Sequence, residues 1–347
     1  LSRRCASPAA QTALVTGGNT GIGFEVASAL AAHGATVLLA SRSKERVDAA
    51  VKKIKAAHPS ATVVGYALDL FQFRRAVGPC ALRRQGELPR HYSVAALSAS
   101  QTRRGRTWAV HVLRLRGARA RSSIDAFVDQ LAVAGVSALH ILINNAGVLN
   151  PPFAKARILQ SCCERAGCIA RRLHRVALRW PAHACTDVAC LICLPFLRIQ
   201  TEQGFEVTMG TNAVGTIYLT QRLLPLLEAG APSRVVVLSS ELASISPALD
   251  LGDLGGEALK STTLAQYNAS KLCNALYALE LSRLYGSRGV LAASTHPGIV
   301  ATTLVGKADS GCFESGFLSC GLLFACTPAE GAISTLYAAT VPGLKGA

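Results

Sequence analysis

A chain of 347 residues, half of them hydrophobic and only 5% aromatic, has room for one large domain or two ordinary ones with an aliphatic interior. Its formal net charge of +16, if evenly spread, would point to nucleic acid or an anionic surface. The charge is not evenly spread. Residues 71–121 hold twelve Arg against one acid, Glu87, and residues 154–200 hold eight Lys plus Arg against Glu164 and Asp187; these two segments carry the whole excess, so no nucleic-acid partner is expected of the fold itself. Six of the twelve Cys (Cys162, Cys163, Cys168, Cys185, Cys190 and Cys193) fall in the second segment. Cys190 and Cys193, with His174 and His183 nearby, resemble half of a zinc pattern, but no second well-spaced pair joins them and no metal site is assigned. The other cysteines sit among apolar residues, as buried free thiols do in a reducing compartment. No apolar run reaches transmembrane length, residues 316–326 being the nearest. The opening LSRRCASPAA is basic and free of acids. It fits either a transit-peptide remnant of a chloroplast protein or a ragged terminus of a cytoplasmic one.

In chain order, residues 12–16 (TALVT) read as a strand that breaks into Gly17-Gly18-Asn19-Thr20-Gly21-Ile22-Gly23, followed by a helical pattern stopped at Gly34. Strand, glycine turn and helix together aim backbone N–H groups at a phosphate. The spacing is G-x-x-x-G-x-G rather than G-x-G-x-x-G. Residues 36–40 form the second strand, ending in Ser41-Arg42-Ser43. In a doubly wound sheet this end lies beside an adenosine ribose, where Arg42 suits a 2′-phosphate and an acid would suit a free hydroxyl, so NADP(H) is favoured over NAD(H). A polar-faced helix over 44–57 stops at His58-Pro59, and residues 62–70 read as a third strand ending at Asp69. Periodicity then fails over 71–121. It returns at Ser122-Ser123-Ile124-Asp125, an N-cap leading a helix. A strand at 140–143 runs into Asn144-Asn145-Ala146-Gly147.

The pattern fails again over 154–200. From residue 201 a long helix is expected, bearing Asn212 and with Pro225 near its end. Residues 234–238 (RVVVL) form the fifth strand and deliver Ser239-Ser240, and residues 246–261 read as a loop. The helix over 266–286 sets Tyr267 and Lys271 on one face, four residues apart, where an ammonium favours ionisation of a phenol. Residues 290–295 are the sixth strand, leading to His296-Pro297-Gly298. A last helix, over 328–339, begins with Pro.

The ordered set T-G-x-x-x-G-I-G, Asp69, N-N-A-G and Y-x-x-S-K resembles the short-chain dehydrogenase/reductase family, in detail its retinol dehydrogenase and protochlorophyllide reductase-like branch. The resemblance covers residues 12–70, 122–153 and 201–340. It implies an α/β Rossmann-type, doubly wound and mostly parallel sheet with helices on both faces, one domain over 12–340 with two irregular insertions. It further implies an NADP(H)-dependent oxidoreductase acting on a small hydrophobic carbonyl or alcohol, with a homodimer allowed. Position by position, Tyr267 would be the acid–base residue, Lys271 would lower its pKa and hold the nicotinamide ribose, Ser240 rather than Ser239 would orient the substrate oxygen, and Asn212 would hold a water leading to Lys271. Gly17, Asn19, Thr20, Gly21, Ile22 and Gly23 would line the pyrophosphate, Arg42 the 2′-phosphate and Asp69 the adenine. Asn145, Ala146 and Gly147 would flank the adenosine ribose, and Pro297, Gly298 and Thr302 the nicotinamide. The family's last strand would begin about where the chain stops, and its absence would leave a sheet edge unpaired. The two insertions have three readings: basic arms for nucleic acid or an anionic membrane, passive insertions, or, as the favoured one, translated noncoding sequence such as intron. A catalytically silent nucleotide-binding scaffold is the rival to the enzyme.

Overall fold

Strand β1 (Thr12–Thr16) is the short apolar run that the sequence marks, and it sits near the middle of a six-stranded sheet. The computed structural model describes residues 11–71, 98–102, 105–109, 122–149, 201, 205–246, 249, 254, 263–301 and 325–344. Around β1 the order is β3-β2-β1-β6-β7-β8, with β2 (Thr36–Ser41), β3 (Val63–Ala67), β6 (Ile141–Asn144), β7 (Ser233–Leu238) and β8 (Val290–Thr295) all parallel. Parallel strands need crossovers. These are α1 (Gly21–Ala32), α2 (Lys44–Ala57), α3 (Ser123–Val133), α4 (Gly215–Ala229), α5 (Thr263–Tyr285) and, after β8, α6 (Pro328–Thr340).

Alternation along each strand divides the interior into two layers. Leu14, Leu38, Leu142, Val235 and Val237 face α3, α4 and α5 through Phe127, Leu223 and Leu281. Ala13, Val15, Leu39, Ile143 and Val236 face α1, α2 and α6 through Val26, Ile54 and Ala338. Both faces are therefore covered, which is why these strands read as near-continuous Val/Leu/Ile rather than as polar–apolar alternation. Full burial of each such side chain contributes roughly 1.5–3 kcal/mol.

Capping fixes the helix starts. Ser43 accepts from the Arg46 N–H at α2, and reciprocal capping boxes pair Ser122 with Asp125 at α3 and Thr327 with Glu330 at α6. Helix α1 differs: at its N-cap, Thr20, no side-chain bond is made, and its first turn holds no acid.

Three expectations change. The long helix read from residue 201 begins at Val207, preceded by the bond from Thr201 N–H to the Phe205 carbonyl; a single turn (Val207–Met209) passes into a π-helical turn (Gly210–Val214) before α4. Hydrophobic spacing cannot reveal the extra residue of a π turn, a feature frequent at functional sites. The third strand is shorter than read: it ends at Ala67, the Leu68 N–H makes a last bond to the Ser41 carbonyl, and the Asp69 carboxylate accepts from the Phe71 N–H. Within 71–121, where no period was found, β4 (Ser98–Thr102) and β5 (Gly105–Ala109) pair antiparallel, apart from the main sheet. Their polar, Gly-containing runs lack the apolar period by which the other strands were found. The segment 154–200, most of the loop 246–261 and Thr302 lie outside the described residues. Among the described residues β8 is an outer strand, paired with β7 alone, and no helix is long and apolar enough to cross a membrane.

Candidate active site

All six parallel strands end at one edge, and the chain reverses its direction of travel across the sheet between β1 and β6. Ligands of open α/β sheets bind at such a switch point. Thr16, the last residue of β1, organises it: its hydroxyl donates to the Ile143 carbonyl (3.2 Å) and accepts from the N–H groups of Asn145 (3.0 Å) and Ala146 (3.1 Å). Asn145 Nδ2 donates to the carbonyls of Thr16 (2.9 Å) and Gly17 (3.2 Å), so its side chain shapes the glycine turn.

Gly17 has φ 64, a left-handed conformation that strains any other residue, and a Cβ at Gly23 would stand 2.4 Å from Asn145 Nδ2 and 2.6 Å from the Gly17 carbonyl oxygen. Asn19, Thr20 and Gly21 lie between them at the start of α1, while Ile22 packs inward with the α1–α6 layer. A helix N-terminus with neither a capping side chain nor an acid, approached by a turn that excludes side chains, is the cradle that a pyrophosphate fits.

The turn after β1, Arg42 after β2 and Asp69 after β3 follow one another across the same edge. Arg42 is exposed. Asp69 is tied to α3 by its N–H to Ser123 Oγ (3.0 Å) and accepts from the Phe71 N–H (3.0 Å).

On the other side of the switch point, α5 brings Tyr267 and Lys271 beneath the end of β7. The Ser240 hydroxyl lies near enough to the Tyr267 phenol to lower its pKa, and Lys271 Nζ lies 5.5 Å from the Tyr267 ring centroid. Ser239 is otherwise engaged: buried, it donates to the Lys271 carbonyl at 2.7 Å. Ser240 also caps the 3-10 turn Glu241–Ala243 by accepting from the Leu242 N–H (3.2 Å).

Asn212, fully buried in the π turn, accepts from the Val148 N–H (2.8 Å) and donates to the Val148 carbonyl (3.0 Å) and Ser270 Oγ (3.1 Å), clipping the loop after β6 to α5. Gly147 lies where these groups converge: a Cβ there would be 3.4 Å from Asn212 Oδ1 and 3.6 Å from Lys271 Nζ.

Burial sets the charges. It pushes the Tyr267 phenol up to about 12, against the lowering effect of Ser240, and brings the Lys271 ammonium down to about 8. The expected lowering of the Tyr267 pKa by Lys271 is therefore not what the chain alone produces, because desolvation of the phenolate is the largest influence.

Beyond β8, His296 Nδ1 accepts from the Glu241 N–H (3.1 Å) and the His296 carbonyl accepts from Ser334 (3.1 Å), which fixes the approach to Pro297 and Gly298. A cleft of about 700 Å³ between β8 and α6, lined by Pro297, Ile333 and Tyr337 among others, opens on the face of the sheet opposite α5 and is not where a substrate would meet Tyr267.

Thr16 and Ser270, the T of T-G-x-x-x-G-I-G and the S of Y-x-x-S-K, stand in the motifs but had no role assigned from sequence, and Asn274 looked like an ordinary polar position on a helix.

These features define a nucleotide-binding α/β protein with a Ser–Tyr–Lys constellation beside its phosphate cradle. A family model described as short chain dehydrogenase matches residues 11–77. The chain is 29% identical over 335 residues to retinol dehydrogenase 11 of Mus musculus, covering 96% of this chain and 75% of that protein. It is also 29% identical over 295 residues to retinol dehydrogenase 13 of Homo sapiens, covering 85% of this chain but only 60% of that one. Among solved structures, salutaridine reductase of Papaver somniferum superposes with a TM-score of 0.55 at 20% identity, over 97% of this chain and 98% of that one. A short chain dehydrogenase of Burkholderia cenocepacia in complex with NADP gives 0.52 at 20%, over 96% and 91%. The chain is thus similar to short chain dehydrogenases over residues 11–77 and to retinol dehydrogenases over most of its length.

Proposed function

We propose that the protein is an NADP(H)-dependent oxidoreductase that interconverts a carbonyl and an alcohol on a small hydrophobic substrate, with Tyr267 as its acid–base residue. The observation that carries this reading is the meeting of Tyr267, Ser240 and Lys271 at the sheet edge that also holds the glycine turn. Gly17 to Gly23 would hold the pyrophosphate, Arg42 the 2′-phosphate and Asp69 the adenine; Asn145, Ala146 and Gly147 would flank the ribose, and Pro297 and Gly298 would adjoin the nicotinamide. When bound, the nicotinamide supplies or accepts the hydride.

Ser240 and Tyr267 hold the substrate oxygen between two hydroxyls. Tyr267 gives that oxygen a proton in reduction and takes one in oxidation. Its high pKa in the chain alone keeps it protonated at neutral pH, the form that donates. The Lys271 ammonium, on the same helix face, stabilises the phenolate left behind, and Asn212 with Gly147 marks the way by which a water returns the proton. Leu276, Leu279 and Leu284, partly exposed along α5, are the surface on which a second copy would pack.

The test is a fluorescence titration with NADPH and NADH, followed by turnover of a panel of apolar aldehydes and ketones. NADPH is expected to bind the tighter, and Tyr267→Phe to lower turnover about 10³-fold while leaving NADPH affinity within a few-fold. A Tyr267→Phe chain that turns over like the wild type removes the assignment.

A further inference from the structure

The carbonyl oxygen of Leu238, at the end of β7, accepts two hydrogen bonds from α5: from Lys271 Nζ at 3.0 Å and from Asn274 Nδ2 at 3.2 Å. A carbonyl has two lone pairs, so both are taken. Lys271 and Asn274 are three residues apart on one helix face, 5% and 2% exposed. The next residue, Ser239, ties back to the Lys271 carbonyl, so the carbonyl that the two donors share cannot move away from the helix.

Asn274 Oδ1 has no hydrogen-bond partner among the described residues. A buried amide with one end unsatisfied is a poor choice for packing, where a leucine would serve better. What the amide supplies is its donor. Were the Lys271 ammonium the sole partner of Leu238 O, turning it toward Gly147, where a Cβ would lie 3.6 Å from Nζ, would orphan a buried acceptor.

We propose that Asn274 is a positioning residue for Lys271: by sharing the Leu238 carbonyl, it lets the ammonium turn from the strand to a nicotinamide ribose without leaving that carbonyl unpaired. This deepens the reading of the site given above and rests on it. Asn274 touches neither substrate nor cofactor and acts only through Lys271.

The experiment compares the wild-type chain with Asn274→Leu and with Asn274→Asp, which keeps the shape but, when ionised, has no donor. In cofactor-free protein, acylation of Lys271 by acetic anhydride, read by peptide mass spectrometry at pH 8, is expected to slow in Asn274→Leu because the ammonium then has the carbonyl to itself. NADPH dissociation constants are expected to rise about tenfold in both variants, the equivalent of one buried hydrogen bond, with the cofactor-free melting temperature of Asn274→Leu unchanged or higher. Wild-type labelling together with wild-type NADPH affinity in Asn274→Leu overturns the proposal. Should Asn274→Leu fold poorly, Asn274→Asp decides: a tenfold weaker NADPH complex supports it and an unaltered one overturns it. A wild-type chain that binds neither NADPH nor NADH overturns the site reading and this proposal together, whereas tight wild-type binding with unaltered variants overturns this proposal alone.

Discussion

The glycine turn after β1 and the seam between β7 and α5 stand at the same edge of one sheet, yet they are held by different means. The turn is fixed by backbone: its shape depends on a positive φ at Gly17, on the missing Cβ of Gly23 and on main-chain groups that Thr16 and Asn145 gather up. The seam is fixed by side chains, those of Lys271, Asn274 and Ser239, reaching across to or from main-chain carbonyls. A backbone cradle recognises what all dinucleotides share and leaves little to adjust. A side-chain seam can be adjusted one group at a time, and it is where burial sets the charges that the chemistry uses.

Substitutions should separate the two. The largest effect belongs to the turn. Gly23→Ala drives a methyl against Asn145 Nδ2 and the Gly17 carbonyl, and is expected to abolish measurable NADPH binding and to destabilise the fold by about 1–3 kcal/mol in urea melts. Near-wild-type affinity would show that the turn can widen.

In the seam, Lys271→Met should have opposite consequences for function and folding. Turnover falls, but the cofactor-free chain at pH 7 gains roughly 1–3 kcal/mol, because an ammonium whose folded pKa has been brought down to about 8 opposes folding wherever the unfolded chain keeps it charged. The sign with pH follows. Between pH 8 and the ordinary lysine pKa near 10.5 the unfolded wild type binds more protons than the folded one, so its stability rises with pH, and the advantage of Lys271→Met shrinks over the same window. A difference between the two chains that stays constant from pH 7 to 10 would contradict this charge assignment.

Away from both regions, Ser122→Ala removes one half of a capping box at α3 and should cost about 1 kcal/mol without altering nucleotide affinity. If affinity also changes, the Ser123–Asp69 tie next to it transmits strain to the end of β3.

Much of the architecture was legible because local rules and global packing agree in this chain. Apolar runs with no room for polar alternation became strands covered on both faces, and Ser43, Ser122, Thr327 and Pro328 opened helices where caps belong. The choice of Ser240 over Ser239 came with the resemblance, and the packing shows the Ser239 hydroxyl bonded to the helix it faces. What could not be read were features that depend on a neighbour distant in the chain. The π turn around Asn212 is one, the β4–β5 hairpin another, and Asn274 is a third, its meaning lying in a carbonyl 36 residues away.

By itself the sequence determined the order of strands and helices, the glycine turn and the residue types available for chemistry, because periodicity, turn geometry and capping act over a few residues. Only the tertiary structure decided which of those residues meet and in what state of charge. That Asn145 shapes the turn, that Lys271 shares Leu238 O with Asn274, and that burial outweighs the lysine in setting the Tyr267 phenol all follow from desolvation and hydrogen-bond geometry among groups that only folding brings together.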